Sequence, residues 1–367
     1  MKTPFLNTSV KMLFALLRAS LHEREPEQSF FRDVSGEDWK QCYRVAAQQG
    51  VMALAWDGAM KLPMELQPPI AIKLSWATGV EAYEKKYRYY CATVDELSRF
   101  YATHGISTMQ LKGVGFSTLY PVPCHREGGD IDIYTYSADR TRMSDREANR
   151  LADELMTQQG IEVDCSHSYK HSNFYYKGIP FENHKVFLNV KGHKIAGEMD
   201  RLLQQLMNPR PVSLAQGEVL IPSPVFNTLF IAFHTAQHYC SGLALHHLCD
   251  WAMILRRYGL QIPEEIKDRK FLSAIAAFTC LCNRYLGTSQ TLEGGEKIAD
   301  EMLSEILSPC YSSKIPARNK VGIVIYKTKR LLHVHRLMNK ILDTSLAERI
   351  WSSVIWHLRD PKSIFKG

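Results

Sequence analysis

The 367-residue sequence predicts an α+β fold, a small mixed sheet flanked by an N-terminal and a C-terminal helical region. Three observations carry this reading. Apolar residues recur at three- and four-residue spacing up to about residue 101, and again from Pro224 onward, as they do in amphipathic helices. Between these regions lie short alternating runs rich in β-branched and aromatic residues. No internal repeat is present that would favour a solenoid or propeller. The expected organisation is a helical region over 1–72, a sheet-containing core over 73–222, and a helical domain with a basic tail over 223–367.

In chain order, residues 5–18 and 39–49 read as helices, and Pro63, Pro68 and Pro69 interrupt the chain before a long helix over 72–101. That helix carries Tyr83, Tyr87, Tyr89 and Tyr90, a stripe suited to a core. After His104-Gly105 the run 106–111 is β-prone, and Lys112-Gly113-Val114-Gly115 turns into a short helix ending at Tyr120. Residues 130–136 alternate strictly, as a half-buried strand does. Residues 145–159 form an amphipathic helix closed by Gly160. Strands are expected at 161–165, 173–176, 179–188 and 218–222. Helices then cover 225–239, 243–258, 271–285, 299–307 and 322–341.

Composition excludes several classes. With 45% hydrophobic and 23% charged residues the chain is neither disordered nor fibrous. No apolar stretch approaches a membrane span, and the run 12–17 is too short for a signal h-region, so a cytoplasmic protein is expected. The nine cysteines are scattered, and only Cys280 and Cys282 lie close together, one residue apart. That spacing suits neither a zinc pair nor a disulfide, so free thiols in a reducing compartment are expected. The net charge of +7 is concentrated: residues 314–366 hold twelve Lys or Arg against Asp343, Glu348 and Asp360, a net +9, leaving −2 elsewhere. Such a tail is either a solvated helix face or a surface for an anionic partner. Nucleic acid is the least supported partner, because no aromatic-basic platform accompanies the charge.

The chemistry concentrates in Leu111-Lys112-Gly113 and, seventeen residues after that glycine, Asp130-Ile131-Asp132. On a strand, residues i and i+2 share a face. Asp130 and Asp132 therefore stand side by side while Ile131 and Ile133 enter the core. Adjacent like charges are costly unless a cation fills the gap, and hard oxygen ligands suit Mg²⁺ with substrate phosphate completing its shell. Gly113 and Gly115 would let backbone approach phosphate, and Lys112 and Arg126 would add positive charge. This is not the ATPase phosphate loop, whose Gly-x-x-x-x-Gly-Lys-[Ser/Thr] pattern is absent.

These residues, with Tyr120-Pro121 and Gly129, resemble an uncharacterised bacterial nucleotidyltransferase family found near surface polysaccharide genes. It belongs to the DNA polymerase β-like superfamily, whose signature is a hydrophobic-Gly-[Gly/Ser] turn followed by Asp-x-Asp. The resemblance continues in Phe181-Glu182-Asn183-His184, similar to the family's Glu-x-His strand, and around His234, His238 and Leu248-Cys249-Asp250-Trp251. It covers roughly residues 105 to 260. The chain departs from the pattern at Val114, where the superfamily has Gly or Ser, and at His246, where the family has Arg. The resemblance implies Mg²⁺-dependent transfer of a nucleoside monophosphate from a nucleoside triphosphate to a hydroxyl acceptor that the sequence does not name. Asp130, Asp132 and Glu182 would hold the metal, with Asp164 the competitor for the third place. Lys112, Gly113, Gly115, Arg126 and His184 would contact the nucleotide. The rival reading is a catalytically idle nucleotide-binding or scaffolding protein on the same fold.

His234 and His238 stand at i and i+4 and share a helix face. With His246, His247 and Asp250 they could hold zinc or anchor the helices against the cleft, and the missing glutamate of His-Glu-x-x-His favours the anchor. Asp250 is expected to pair with one of these histidines or with Arg257.

Overall fold

The computed structural model describes residues 6–351, apart from 167, 191, 192, 194, 240, 241, 309, 311–318, 348 and 349. Its first layer is helical: α1 (Thr8–Leu21), α2 (Gly36–Gln48), α3 (Met52–Met60) and the long α4 (Ile70–Ala102). Asn7 caps α1 by accepting the Val10 N–H, and Ser35 with Asp38 forms a capping box at α2. Helix α3 is absent from the sequence reading for a physical reason. It is buried around most of its circumference, at Met52, Ala53, Leu54, Ala55, Gly58 and Ala59, so no polar stripe marks its period.

The central part contains β1 (Ile106–Gln110), α5 (Gly113–Ser117), β2 (Ile131–Ser137), α6 (Asp145–Gln158), β3 (Val163–Asp164), β4 (His171–Tyr176), β5 (Ile179–His184), α7 (Ala196–Leu206), β6 (Arg210–Ser213) and β7 (Glu218–Ile221). The sheet order is β3-β4-β5-β2-β1-β7-β6. It is mixed: β2 runs parallel to β5 and β1 parallel to β7, while the other neighbours are antiparallel. Strand β5 stops at His184, short of the expected 188. Beyond it Lys185 N–H bonds the Lys170 carbonyl, and the Phe187 and Leu188 amides turn to the Asp200 carboxylate on α7. Helix α7 and edge strand β6 were not expected. The α7 pattern of Ala196, Met199 and Leu203 was legible, but β6 is only four residues long and half exposed.

The last part is α8 (Pro224–His238), α9 (Leu245–Tyr258), α10 (Arg269–Leu281) with a π-helical turn at Cys282–Leu286, α11 (Glu296–Leu307) and α12 (Lys320–Met338). The fold is therefore a mixed seven-stranded sheet flanked on both chain sides by helices. Most of the remaining tail, at 311–318 and 352–367, lies outside the described residues. Within α12, Val321, Val324, Ile325 and Leu332 are exposed. Among the described residues no helix is long and apolar enough to cross a membrane, and eight cysteines are free thiols.

The sheet separates two cores. One face gives Ile131, Ile133, Phe181, Val219 and Ile221 to a core closed by α6 and the second half of α4. The other face looks toward α7 and α8 and joins a larger core that also contains α1, α3, α9 and α10. Asp132, Glu182 and His184 alternate with Ile131, Phe181 and Asn183, and so lie on this second face. A buried polar network fixes the register that matters. Asn149 of α6 donates to Thr135, to Asn183 and to the His184 carbonyl, while Asn183 and Ser172 donate to Asp153. A one-residue slip would unpair all of these groups and reverse every side chain on the strand.

The helical layers before and after the sheet are joined directly. Gln49 accepts the Leu245 N–H through its side chain and the His246 N–H through its carbonyl. Helices α1 and α3 meet at Gly58, where a Cβ would lie 2.3 Å from the Leu16 carbonyl oxygen. Gly58→Ala is therefore expected to force the helices apart and lose about 1–3 kcal/mol, read as a lower urea midpoint. Gly197→Ala on α7, where a Cβ meets nothing within 4 Å, should be neutral or stabilising.

Candidate active site

The parallel pairing of β2 with β5 sets Asp132 directly beside Glu182. Ligand atoms of Asp132, Glu182 and His184 lie within 4.8 Å of one another. His184 bridges the carboxylates, its Nε2 lying 3.0 Å from Asp132 Oδ1 and 3.5 Å from Glu182 Oε2, with His171 Nε2 at 3.4 Å from the same Glu182 oxygen. Asp130 precedes β2 and stands exposed at the cleft mouth. Asp164 pairs with Asn173 on β4, and Asn173 in turn pairs with Glu182. It is thus two strands, or roughly 10 Å, further out than Glu182.

The three carboxyls differ electrostatically. Burial opposes ionisation of Asp132, but the Lys112 ammonium and the His184 hydrogen bond outweigh it and hold this carboxyl far below the usual range. Glu182 is likewise held low: burial pushes it up, and the His184 bond with the charge of His171 more than offsets this. Asp130 goes the other way, raised by the protein atoms around it and then by the Asp132 charge.

The cations of the cleft are mostly committed. Lys112 Nζ lies 3.0 Å from Asp132 Oδ2 and 3.4 Å from His234 Nε2. Its contact with Oδ2 is an ion pair off the direction a hydrogen bond needs, which leaves that buried oxygen without a hydrogen-bond donor. Arg126 clamps Asp250 through Nε at 2.8 Å and Nη2 at 2.7 Å, and Tyr120 donates to the same carboxylate at 2.5 Å. Arg126 also lies over the Phe116 ring and reaches the Gly113 carbonyl at 3.3 Å. This corrects the expected partner of Asp250, which is neither a histidine nor Arg257. Arg257 instead donates to the Leu119 carbonyl.

The glycines divide their work. Gly113 adopts φ +69°, which a side chain resists, and so makes the turn out of β1. The Gly115 N–H is taken by Gln110, and a Cβ there would meet Ile221 at 2.7 Å, so Gly115 lets α5 close on β7.

Sequence reasoning missed Lys170 and His171, which lie at the start of β4. Lys170 has its carbonyl pinned by Lys185 and Val186, and its half-buried ammonium feels Asp132, Glu182 and Asp130. Burial pulls its pKa down. A single lysine in a loop leaves no pattern to find. Opposite, ligand nitrogens of His234, His238 and His247 lie within 4.8 Å of one another. Burial first, then neighbouring positive charge, pushes all three rings toward the neutral form, His238 to about 4.

A missed brace holds the loop that precedes β2. His125 Nδ1 lies 2.8 Å from Asp57 of α3 and Nε2 3.2 Å from Glu84 of α4. Burial disfavours its charge, but the Asp57 bond, Cys124 and Glu84 outweigh this and push its pKa up to about 10.

Residues 35–287 match the model of a protein family described as uncharacterised nucleotidyltransferase. No curated protein matches the sequence. Among solved structures, the chain is similar to the crystal structure of an antigenic nucleotidyltransferase-like protein from Paracoccidioides brasiliensis, at 13% identity and a TM-score of 0.37, over 55% of this chain and 93% of that one.

Two outcomes are expected. Asp250→Asn strands the buried Arg126 charge and should cost about 3–5 kcal/mol, whereas Arg126→Met combined with Asp250→Leu should cost less than the two single changes summed. Denaturant unfolding of the four-member cycle measures this. His125, whose folded pKa is raised above its usual 6.5, stabilises fully below that value and progressively less as pH rises toward about 10. Melting temperature should fall across that window in the native protein and stay flatter in His125→Gln.

Proposed function

The chain belongs to the uncharacterised nucleotidyltransferase family, and from that premise we propose that it transfers a nucleoside monophosphate from a nucleoside triphosphate to a hydroxyl acceptor by polymerase β-like chemistry. The observation that carries this reading is the pairing of Asp132 with Glu182 on neighbouring strands, with Asp130 at the mouth of the same cleft. The donor set fits a hard divalent cation. It offers carboxylate oxygens, one buried oxygen of Asp132 without a hydrogen-bond donor, and an Asp130 whose charge is disfavoured until a counter-charge arrives. Asp130, Asp132 and Glu182 would hold Mg²⁺, which when bound supplies positive charge against the phosphate oxygens in the transition state.

The chain's own groups do the rest. The acceptor hydroxyl oxygen attacks the α-phosphorus, and Glu182, held ionised by His184, takes the hydroxyl proton. The bond from the α-phosphorus to the α–β bridging oxygen breaks, and its electron pair leaves with pyrophosphate. His184 keeps Asp132 and Glu182 in place, and the Arg126–Asp250 pair fixes the Gly113 turn. An acceptor in surface polysaccharide metabolism, and an anionic surface facing the basic tail, complete the proposal. A second reading, nucleotide binding without turnover, is favoured by one observation: the Lys112 ammonium already neutralises Asp132.

A panel of nucleoside triphosphates with Mg²⁺, scored by pyrophosphate release and thermal shift, separates the two. Thermal shifts without release in any acceptor mixture support the idle reading. Under the transfer reading, Asp130→Asn should lower turnover by about 10³ or more while melting temperature holds or rises, because it removes a disfavoured charge. Asp132→Asn should lower both, since Lys112 and His184 lose their counter-charge. Turnover retained by Asp130→Asn sinks the assignment.

A further inference from the structure

We propose that the cleft face formed by His234, His238 and His247, together with Lys112 and Lys170, is an anion subsite that receives the pyrophosphate portion of the nucleotide and then the released pyrophosphate. This assignment rests on the transfer reading above.

Position comes first. The Lys112 ammonium stands between Asp132 and His234, so the acidic and imidazole halves of the cleft are separated by a single cationic group. A nucleotide with its α-phosphate at the carboxylates must extend its β- and γ-phosphates away from them, because like charges repel. His234 and His247 line the same cleft as Asp130 and Asp132, and His238 packs against both, with ring centroids 4.4 Å and 5.0 Å away.

Charge then decides what this face can bind. Three imidazoles within 4.8 Å would by geometry alone suit zinc. Yet the Lys112 charge acts on all three rings, and the Lys170 charge acts on His234 and His238. A divalent cation placed here would sit beside an ammonium 3.4 Å from His234. The field is positive, and a polyphosphate is attracted where a metal ion is repelled.

Hydrogen placement agrees. His247 Nδ1 accepts the Ala244 N–H at 3.2 Å, so in the neutral ring the hydrogen sits on Nε2, making that nitrogen a donor and not a metal ligand. Imidazole N–H groups and two ammonium groups form a donor set matched to phosphate oxygens. Arg126, the other strong cation nearby, is held by Asp250 and keeps little charge to offer. When the α–β bond breaks, the leaving group gains charge, and Lys112 and Lys170 are the cations placed to meet it.

The test is calorimetric titration of inorganic pyrophosphate, without divalent metal, into the full-length protein and its Lys170→Met, His238→Gln and Lys170→Arg variants, each checked for an unchanged melting curve. Lys170→Met and His238→Gln should each weaken binding by about tenfold, and Lys170→Arg should retain it. Affinity unchanged in both weakened variants, or no binding by the wild type, overturns the proposal. So does stoichiometric zinc uptake that His238→Gln abolishes. Pyrophosphate binding with this pattern but no turnover of any nucleotide leaves the subsite standing and removes the transfer reading. Turnover alongside unaltered pyrophosphate affinity in the variants does the reverse.

Discussion

The buried pair of Arg126 and Asp250 is the contact on which the cleft depends. Arg126 comes from the loop that leads into β2, Asp250 from the middle of α9, and both side chains are less than a tenth exposed. Either charge alone in that setting would be expensive, so the two segments are held together by the cost of separating them. Tyr120 donates to the same carboxylate and Arg126 reaches the Gly113 carbonyl, so the turn after β1 shares this anchor. The acidic strand and the helical wall opposite it are thereby referred to one point.

Around that anchor the cleft is organised as two regions of opposite sign. Asp130, Asp132 and Glu182 make one side, and Lys170 with the neutral histidines of α8 and α9 makes the other. Lys112 belongs to both. It lowers the cost of burying Asp132 and, by the same charge, keeps His234 from taking up a proton. The histidine cluster is therefore more than a helix anchor, because its protonation is tied to the state of the carboxylate side.

Much of this was legible in the sequence, and the limits follow from physics. The strands at 106–110 and 131–137 announce themselves because one face is buried and the period is two. The carboxylate pair follows from the same parity. The partner of Asp250 was not legible, because Arg126 is 124 residues away and only the tertiary fold brings them together. Helix α3 escaped because burial around its circumference erases periodicity, and His125 because a lone histidine says nothing of the Asp57 and Glu84 that embrace it. The tyrosine stripe split: Tyr87 is buried in the core beneath the sheet, whereas Tyr89 is half exposed and bonds the Lys177 carbonyl.

Helix α4 has a consequence for how this chain can vary. Over 33 residues it runs for roughly 50 Å, giving Trp76 and Val80 to one core and Tyr87, Cys91, Val94, Leu97 and Tyr101 to the other. Each residue advances the helix by about 100°, so adding or removing a single one between Val80 and Tyr87 would turn one set of buried side chains toward water while the other stayed seated. Substitutions on the exposed flank, at Glu81 or Lys85, leave that phase untouched. In this stretch the chain is free in composition and fixed in length, and any relative sharing both cores must keep the same residue count between them.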